Sequence, residues 1–351
     1  MIPKVSVIIP VYNAEPYLRE CLDSVISQTL HEIEIICIND GSTDGSLAIL
    51  EEYVAKDSRL KILSQENKGA GTARNEGIKI AEGEYLSFLD ADDIFKKTLL
   101  EKTYRKAKKS NADIVAFNFC RFDNQSRKIT KVHWKFKKKY FPLKYPFSYK
   151  DVPQSIFKVL RNEAWNKIFK RELIISNDIK FHEIKSSNDL FFTWCAVFNA
   201  EKIDIEDKRL VYLRRGHNTN IQSNNDSNIL DFYYAFWHLR EYLKSVNKYE
   251  NIMQQFGNYF LANVMYNLFS LKEVGQFNFL YDRLKELILS DFVYDENDND
   301  YYSVLKDKSE ILDKSCLQFL FDKNGDLRKE LDAIYFSFFY QVYNKINQKI
   351  S

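Results

Sequence analysis

Residues 5–18 read VSVIIPVYNAEPYL and join a β-branched run to the start of an amphipathic segment. The run over Lys4–Ile9 is typical of a buried strand, because β-branched side chains pack well on a pleated surface. Over 16–27 the apolar residues lie three and four apart, which predicts a helix that faces a core. Pro16 suits the first helical turn, where the backbone N–H has no partner to lose. The segment therefore predicts a strand that leads directly into a helix.

The same alternation continues to about residue 120. Further strands are predicted over 34–38, 60–63, 85–89 and 113–117, and helices over 46–56, 72–81 and 99–109. Strands separated by helices of this length indicate βαβ units and a largely parallel sheet. The predicted fold class is α/β, with a mostly parallel sheet flanked by helices. From about residue 228 onwards, aromatic and aliphatic residues recur at helical spacing, which predicts a helical C-terminal domain.

Composition excludes several classes of protein. The 351 residues are 45% hydrophobic and 28% charged, which is ordinary for a folded chain of about two domains. The net charge of +2 is too small to indicate nucleic acid as a partner. Five cysteines without a CxxC spacing favour neither a disulfide framework nor a zinc site. No apolar run approaches the ~18 residues of a membrane-spanning helix, and no secretory leader is evident, so we expect a cytoplasmic protein.

Polar segments follow each of the first four predicted strands. They are Pro10–Asn13, Asn39–Gly45, Asn67–Asn75 and Asp90–Asp93. In an open parallel sheet, ligands bind at the carboxyl ends of the strands. The sequence therefore predicts a binding site at this edge of the sheet.

Three carboxylates within four residues, at Asp90, Asp92 and Asp93, repel one another unless a positive charge lies among them. Oxygen ligands of this kind select Mg²⁺ or Mn²⁺, which commonly also bind substrate phosphates. As alternatives, Asp92 and Asp93 only cap the next helix, and Asp40 only stabilises a turn. The segment 69–74 imitates a dinucleotide-binding fingerprint, but Arg74 stands at the third glycine position, which argues against a nicotinamide enzyme.

Four motifs in order, VSVIIPVYNAEPYL, INDGSTDGS, NKGAGTARNEGI and GEYLSFLDADD, resemble glycosyltransferase family 2 with the GT-A fold. The resemblance is close over residues 4–120 and looser over 164–173, 186–192 and 210–221. It implies an inverting, metal-dependent enzyme that transfers a sugar from a UDP-sugar donor to a glycan or lipid-linked acceptor. The family also suggests bacterial surface-glycan synthesis, of capsule or lipooligosaccharide.

The resemblance implies a donor site made of Pro10, Val11, Tyr12, Asp40, Arg74, Asp90, Asp92 and Asp93. The first three would line the uracil pocket, and Asp40 would accept the imide N–H of the base. Arg74 would lie near the nucleotide and its pyrophosphate, and Asp90 would face the ribose. Asp92 would bind Mn²⁺ or Mg²⁺ on the diphosphate. Asp93 would contact the sugar or support the metal site.

On the acceptor side, Asp189 matches the general base of the family, and Asn188 departs from the usual glutamate before it. Trp165 would stack on an acceptor sugar, and His217 would lie over the diphosphate. Each has a simpler alternative. Asp189 is then a helix cap, Trp165 a core residue and His217 a solvated loop residue.

The predicted domains are a catalytic domain over 1–225 and a helical domain over 226–351. Residues 124–150 hold nine Lys or Arg and no acidic residue, with aromatic residues interleaved. The segment 127–149 is either a contact with an anionic membrane surface or lipid-linked acceptor, or a solvated hairpin. The C-terminal aromatic faces favour a core or a homo-oligomer interface.

Two other functions compete with transfer. A non-catalytic scaffold subunit that binds sugar nucleotides would fit the departure at Asn188. A nucleotidyltransferase would share a related sheet, but it needs a glycine-rich triphosphate loop, and 10–15 contains no glycine.

Overall fold

The computed structural model describes residues 2–132, 140–142, 144–216 and 228–270, together with 276, 279, 280, 283, 284 and 287. The chain divides into two compact units, one up to Phe256 and the other from Gly257. The first unit holds the sheet and its flanking helices. The division predicted at residue 225 stays a prediction.

Nine strands in the described part of the chain form one sheet. They are β1 (Val5–Val11), β2 (Ile33–Asp40), β3 (Leu60–Gln65), β4 (Tyr85–Phe88), β5 (Ile94–Phe95), β6 (Ile114–Asp123), β7 (Ile129–Lys131), β8 (Lys167–Lys170) and β9 (Ile203–Arg215). Their order is β3-β2-β1-β4-β8-β6-β9-β5, with β7 paired to β6. The first four strands are parallel, whereas β8 is antiparallel to both of its neighbours. One half of the sheet is therefore parallel and the other half mixed.

Up to Ser270, the helices in the described ranges are α1 (Glu15–Ile26), α2 (Ser46–Lys56), α3 (Ala70–Ile80), α4 (Leu99–Ser110), α5 (Ile156–Val159), α6 (Arg171–Ser176), α7 (Asn188–Asn199), α8 (Asp231–Ser245) and α9 (Met253–Ser270). Short 3₁₀ turns lie at Tyr149–Asp151 and Glu250–Ile252. α5 is a single helical turn. No helix within the described ranges is long and apolar enough to cross a bilayer.

The core lies between the parallel strands and the helices α1, α2 and α4. Val7, Ile9 and Ile35 on the strands and Leu18 and Leu22 on α1 are fully buried there. Burying a side chain of this size contributes about 1.5–3 kcal/mol. Because strand register is fixed by which face is buried, the core also fixes where each strand ends.

The register brings the predicted site together. Val11 at the end of β1 lies opposite Asn39 near the end of β2, and Asp40 lies opposite Gln65 at the end of β3. On the other side of β1, Ile8 lies opposite Phe88 at the end of β4. The predicted edge of carboxyl ends is therefore present in the fold.

The helical pattern after residue 228 is confirmed for α8. Its buried residues include Phe232, Tyr233 and Phe236, and the helix packs against α7 within the first unit. The aromatic face of α8 is therefore part of an internal core. Most of the predicted helical domain beyond Ser270 lies outside the described residues.

Candidate active site

The loops after β1 and β2 hold each other in place at the starts of α1 and α2. The Asp44 carboxylate accepts the backbone N–H of Glu15 at 3.1 Å, and the Glu15 carboxylate accepts that of Gly45 at 2.7 Å. The hydroxyl of Ser46 accepts the N–H of Ala14 at 2.9 Å. Each helix start thus satisfies backbone donors of the other, donors that a helix end cannot satisfy itself. The two loops therefore form one rigid wall.

Asp40 fastens a third loop to this wall. Its buried carboxylate accepts hydrogen bonds from the side chain of Gln65 at 2.7 Å and from the backbone N–H groups of Lys68 and Gly69, both at 2.9 Å. A carboxylate offers about four acceptor positions. The described residues fill two on Oδ1 and one on Oδ2. Asp40 is therefore more than a turn former within its own loop, and these three bonds leave one acceptor position on Oδ2 unused.

Tyr12 projects at the end of β1. It is 52% exposed, whereas Val11 before it is buried and Pro10 is half-buried. Across from it, Gly41 has a left-handed φ of +71°, and a Cβ there would lie 2.7 Å from the backbone nitrogen of Asn67. Only glycine allows this close approach of the two loops. An exposed aromatic ring beside a tight, polar loop pair can stack on a planar group.

The acidic segment after β4 has more carboxyl groups than nearby positive charge. Asp90 is 29% exposed at its side chain and accepts Arg74 Nη2 at 2.7 Å. Burial raises the pKa of Asp90, and the Arg74 charge opposes that rise. Asp93 is buried, and its Oδ1 accepts the backbone N–H of Arg214 at 2.8 Å, while no described residue donates to its Oδ2. Burial, then the charges of Asp92 and Asp90, raise the pKa of Asp93 well above its usual range.

This segment fits a shared rather than a complete metal site. Within the described ranges, no three acidic, histidine or cysteine side chains converge to hold an ion by themselves. Mg²⁺ usually binds through one or two carboxylates plus substrate phosphates. The half-buried Asp92 between two carboxyl groups of raised pKa suits that arrangement. An ion there would need oxygen ligands from a bound substrate.

Arg214 supports the acidic segment from β9, and sequence reasoning missed this role. Its Nε donates to the backbone carbonyl of Asp92 at 2.6 Å, in addition to the hydrogen bond from its backbone N–H to Asp93. Its two terminal nitrogens donate to Glu20 of α1 and Asn124, both at 2.5 Å. The side chain is buried. The only signal in the sequence was that Arg214 lies in the segment 210–221, where the family resemblance is loose. His217 itself lies outside the described residues.

Arg74 joins the donor edge to the acceptor side. This residue of α3 donates from Nη2 to Asp90 and from Nη1 to the side-chain oxygen of Asn188 at 2.9 Å. Its guanidinium lies 5.3 Å from the ring centroid of Phe181. Its Nε is buried and finds no hydrogen-bond partner in the part of the chain that the structure describes. The residue that excluded a dinucleotide fingerprint is thus the link between the two halves of the site.

Two further contacts fasten α3 to the segment before α7. The Asn75 side chain exchanges two hydrogen bonds with the backbone of Phe181, at 2.8 and 2.9 Å. A Cβ on Gly71 would lie 2.1 Å from the carbonyl oxygen of His182 and 3.1 Å from Cβ of Asn188. The start of α3 and the segment 181–188 are therefore in direct contact.

Asp189 lies in the first turn of α7, two residues after Ser187, whose φ is left-handed at +55°. Burial raises the pKa of Asp189 to about 6. The Arg74 charge acts in the opposite direction, whereas Glu163 and Asp90 add to the rise. A carboxyl group with a pKa near the working pH is suited to proton transfer.

Trp165 is 8% exposed and packs edge-on against Phe119, with ring centroids 4.8 Å apart. It belongs to the main hydrophobic core. This burial favours the core alternative, and stacking on an acceptor sugar stays a prediction.

Lys167, two residues further on, was not predicted as part of the site. It is fully buried, and its ammonium group donates to the carbonyls of Arg161 and Glu163 at 2.9 and 2.6 Å and to the Asn166 side chain at 2.7 Å. Burial lowers the pKa of Lys167 to about 7, while the charges of Glu163 and Asp189 oppose that change. All three of its donors are used by neutral acceptors, so Lys167 holds the segment 161–166 in one conformation.

Residues 6–175 match the family described as Glycosyl transferase family 2. The strand-end motifs described above all fall within this segment. The segment 6–175 is therefore a glycosyltransferase family 2 domain, as the motifs predicted.

Solved structures confirm the GT-A fold. S. aureus TarS 1–349 in complex with UDP-GlcNAc superposes with a TM-score of 0.67 and 27% sequence identity, over 82% of this chain and 81% of that one. Among curated relatives, the uncharacterized glycosyltransferase EpsJ of Bacillus subtilis (strain 168) is 33% identical over 220 residues. The match covers 62% of this chain and 63% of EpsJ.

Another relative is the poly(ribitol-phosphate) beta-glucosyltransferase of Bacillus spizizenii (strain ATCC 23059 / NRRL B-14472 / W23). It is 34% identical over 207 residues, which are 58% of this chain and 31% of that protein. The matches thus span less than two thirds of EpsJ and about a third of the glucosyltransferase.

Proposed function

We propose that this protein is an inverting glycosyltransferase that moves a sugar from a UDP-sugar to a hydroxyl of a glycan or lipid-linked acceptor. One observation carries the proposal. The half-buried carboxyl group of Asp189 lies on the acceptor side and is tied through Asn188 and Arg74 to Asp90 on the donor edge. A single displacement needs such a base, separate from the carboxylates at the leaving group.

The donor edge suits a uridine nucleotide. The exposed ring of Tyr12 would stack on the base, above a floor of Pro10 and Val11. The open position on Asp40 Oδ2 would accept the imide N–H of uracil, a donor that adenine lacks at that edge. Asp90 would accept from the ribose. S. aureus TarS, which shares this fold, has been solved with UDP-GlcNAc, and this supports a UDP-linked donor.

Asp92 would hold Mn²⁺ or Mg²⁺, and the ion, when bound, would neutralise the departing diphosphate. Asp93 would support this site from beneath, because it is buried and bonded to Arg214. Arg214 in turn fixes the backbone of Asp92. The chain's own contribution is therefore to present one carboxylate in a fixed orientation, stabilised from β9.

Asp189 would take the proton of the acceptor hydroxyl as its oxygen attacks the anomeric carbon. The bond from that carbon to the diphosphate oxygen breaks in the same step, and UDP leaves with the electron pair. One displacement inverts the anomeric configuration. Because Asp189 must be ionised to accept the proton, transfer should rise as the pH increases through about 6 and then level off.

The biological setting proposed is bacterial surface polysaccharide or lipooligosaccharide synthesis. The relative named as a poly(ribitol-phosphate) beta-glucosyltransferase supports it. The proposed location is the cytoplasm, with contact to the inner membrane through 127–149. The C-terminal helices would form a homo-oligomer. Residues 133–139 of the basic segment lie outside the described residues.

The test is release of UDP from a panel of UDP-sugars with Mn²⁺, with alkyl glycosides as acceptors. Asp189→Asn should lower transfer about 10²–10⁴-fold while donor affinity stays close to that of the wild type, because the amide keeps the shape but takes no proton. Asp178→Asn is the matched control, since the side chain of Asp178 is exposed and is paired with the exposed Lys180.

Four outcomes would count against the proposal. If Asp189→Asn transfers sugar at the wild-type rate, Asp189 is not the general base. A product with retained anomeric configuration would exclude a single displacement. Binding of a UDP-sugar without release of UDP under any condition would favour a scaffold subunit, and release of pyrophosphate would favour a nucleotidyltransferase.

A further inference from the structure

Arg74 and Asn188 are 114 residues apart in sequence and form a buried hydrogen bond of 2.9 Å. The other terminal nitrogen of Arg74 bonds to Asp90 at 2.7 Å. The guanidinium is planar and keeps its charge at any physiological pH. Packing near Phe181 further restricts its orientation. Arg74 therefore sets the distance between the end of β4 and the start of α7.

Asn188 is the first residue of α7, and Asp189 follows it directly. Any shift of Asn188 moves the backbone of Asp189 with it. The segment before the helix is also held by two backbone donors: the N–H of Ser186 donates to Asp231 at 2.8 Å, and the N–H of His182 donates to the carbonyl of Asn188 at 3.3 Å. The side-chain bond to Arg74 is thus the direct tie between the donor edge and the residue next to the base.

We propose that Arg74 and Asn188 are a positioning pair that holds Asp189 against the donor edge, and that the neutral amide of Asn188 leaves the Arg74 charge available to the Asp189 carboxylate. This inference rests on the proposed role of Asp189 as the base. It assigns two functions to Asn188. The side chain accepts a hydrogen bond from Arg74, and it carries no negative charge that would compete with Asp189 for Arg74.

The charge of residue 188 matters because of what surrounds Asp189. The charged groups that act on Asp189 are Arg74 on α3, Asp90 after β4, Glu163 before β8 and Lys167 at the start of β8. The elements packed around it also carry His182 before α7 and, on α8, Asp231 and His238. The remaining charged groups of α3 and α8 are Glu76, Lys79, Arg240, Glu241 and Lys244. On α6, Glu172 bonds to Ser176 of its own helix. Arg74 is the group that most strongly favours ionised Asp189. A second carboxylate at 188 would share Arg74 with Asp90 and repel Asp189.

The experiment separates position from charge with two variants of nearly the same size. Asn188→Asp adds a charge without changing the shape, and Asn188→Leu removes the acceptor without adding a charge. The readouts are kcat against pH at saturating UDP-sugar and Mn²⁺, the donor KM, and the thermal unfolding midpoint.

For Asn188→Asp we expect the acid limb of kcat to move to higher pH by about one unit, because a like charge nearby disfavours ionisation of the base. For Asn188→Leu we expect kcat to fall roughly tenfold at every pH, with the acid limb and the donor KM unchanged. The substitution would displace the base without changing its pKa. A purely structural role of Asn188 would lower the unfolding midpoint without moving the acid limb.

The result that overturns the inference is a wild-type acid limb in Asn188→Asp. If Asn188→Leu does not fold, Asn188→Asp still decides, since the acid side chain retains an acceptor for Arg74. Asp189→Asn distinguishes a failure of the proposed base from a failure of the proposed positioning pair. If Asp189→Asn transfers at the wild-type rate, Asp189 is not the base and the proposed function is wrong. If Asp189→Asn is inactive but the acid limb of Asn188→Asp is that of the wild type, Asp189 remains the base and only the role of the Arg74–Asn188 pair is wrong.

Discussion

The donor edge and the acceptor side of this site are built in different ways. On the donor edge, each loop follows a parallel strand, and the loops are joined by hydrogen bonds between residues about 30 apart, such as Asp40 with Gly69. On the acceptor side, α7 follows the irregular segment 177–187 and is joined to the donor edge by bonds that span more than 100 residues. The donor edge is thus a product of local sequence, and the acceptor side is a product of tertiary packing.

The two regions also differ in the charge that they bury. The donor edge crowds Asp90, Asp92 and Asp93 and raises the pKa of two of them. The acceptor side buries the cation of Lys167 among neutral acceptors. A region with surplus negative charge is suited to a metal ion. A region with one buried cation and one base of raised pKa is suited to moving a proton.

Asp92→Asn should have the largest effect on the donor edge. We expect transfer to fall about 10²–10³-fold and the response to Mn²⁺ to be lost, because the ion contributes several kcal/mol of charge stabilisation. A titration of the rate against Mn²⁺, with a chelator as the zero point, measures this. Full wild-type activity in excess chelator would show that the acidic segment works without an ion.

Asp93→Asn is the matched control for that experiment. An amide at 93 keeps an oxygen for the backbone N–H of Arg214. Because burial already favours the neutral form of Asp93, the substitution should leave the Mn²⁺ titration near that of the wild type. A loss as large as that of Asp92→Asn would place Asp93 in direct contact with the ion.

The donor edge could be predicted from sequence because its residues follow strands with strong apolar patterns. β1 and β2 are almost entirely buried, so their β-branched runs mark both the strand and its end. Once the strands are parallel, their carboxyl ends share one edge, and Asp40 and Asp90 must lie near each other. What the pattern did not contain was the partner of each side chain, such as the three bonds of Asp40.

The other half of the sheet was harder to predict for physical reasons. β9 reads IDIEDKRLVYLRR, and its charged middle is exposed, so neither alternation nor an apolar run marks it as a strand. It forms because β6 pairs along most of its length through an irregular register near Asn118. The role of Arg214 follows from that pairing and has no local signal. The same holds for Lys167, whose three acceptors come from the preceding loop.

Gly71→Ala should have the second largest effect, at the contact between the two regions. The added Cβ would lie 2.1 Å from the carbonyl oxygen of His182, which belongs to the backbone and cannot rotate away. We expect the free energy of unfolding to fall by about 1–3 kcal/mol. We also expect kcat to fall roughly tenfold, since the segment that carries Asp189 must shift. Urea unfolding and steady-state kinetics measure the two effects.

Gly77→Ala on the same helix is the control for Gly71→Ala. Its Cβ would lie 2.5 Å from Cγ2 of Ile8, on the side of α3 that faces β1. It should therefore cost stability without lowering kcat in the protein that remains folded. Equal losses of kcat in both variants would mean that α3 as a whole, rather than its contact with the acceptor side, sets the rate.

Lys167→Met should have the smallest effect, and it concerns how stability depends on pH. The pKa of Lys167 is about 7 in the folded chain, against 10.5 for an ordinary lysine. Between these values the unfolded chain holds a proton that the folded chain has lost, so this group makes the free energy of unfolding rise with pH. Below about pH 7 both states hold the proton and the contribution is constant. Methionine has a similar length and does not titrate, so the rise between pH 7 and 9 should be smaller in the variant.

Urea unfolding at pH 7, 8 and 9 measures the difference between wild type and Lys167→Met at each pH. The wild type should gain stability relative to the variant as the pH rises. The variant also differs from the wild type in its free energy of unfolding at pH 7, because the carbonyls of Arg161 and Glu163 lose their donor, but this difference does not change with pH. Titrating groups that do not interact with Lys167 are common to both chains and cancel in the difference, and the two carboxyl groups that do interact with it, Glu163 and Asp189, titrate mainly below this pH range. Parallel curves would mean that the buried amine keeps its proton throughout. The acceptor side would then hold a permanent cation next to Asp189, and its contrast with the acidic donor edge would be greater than the shifted pKa implies.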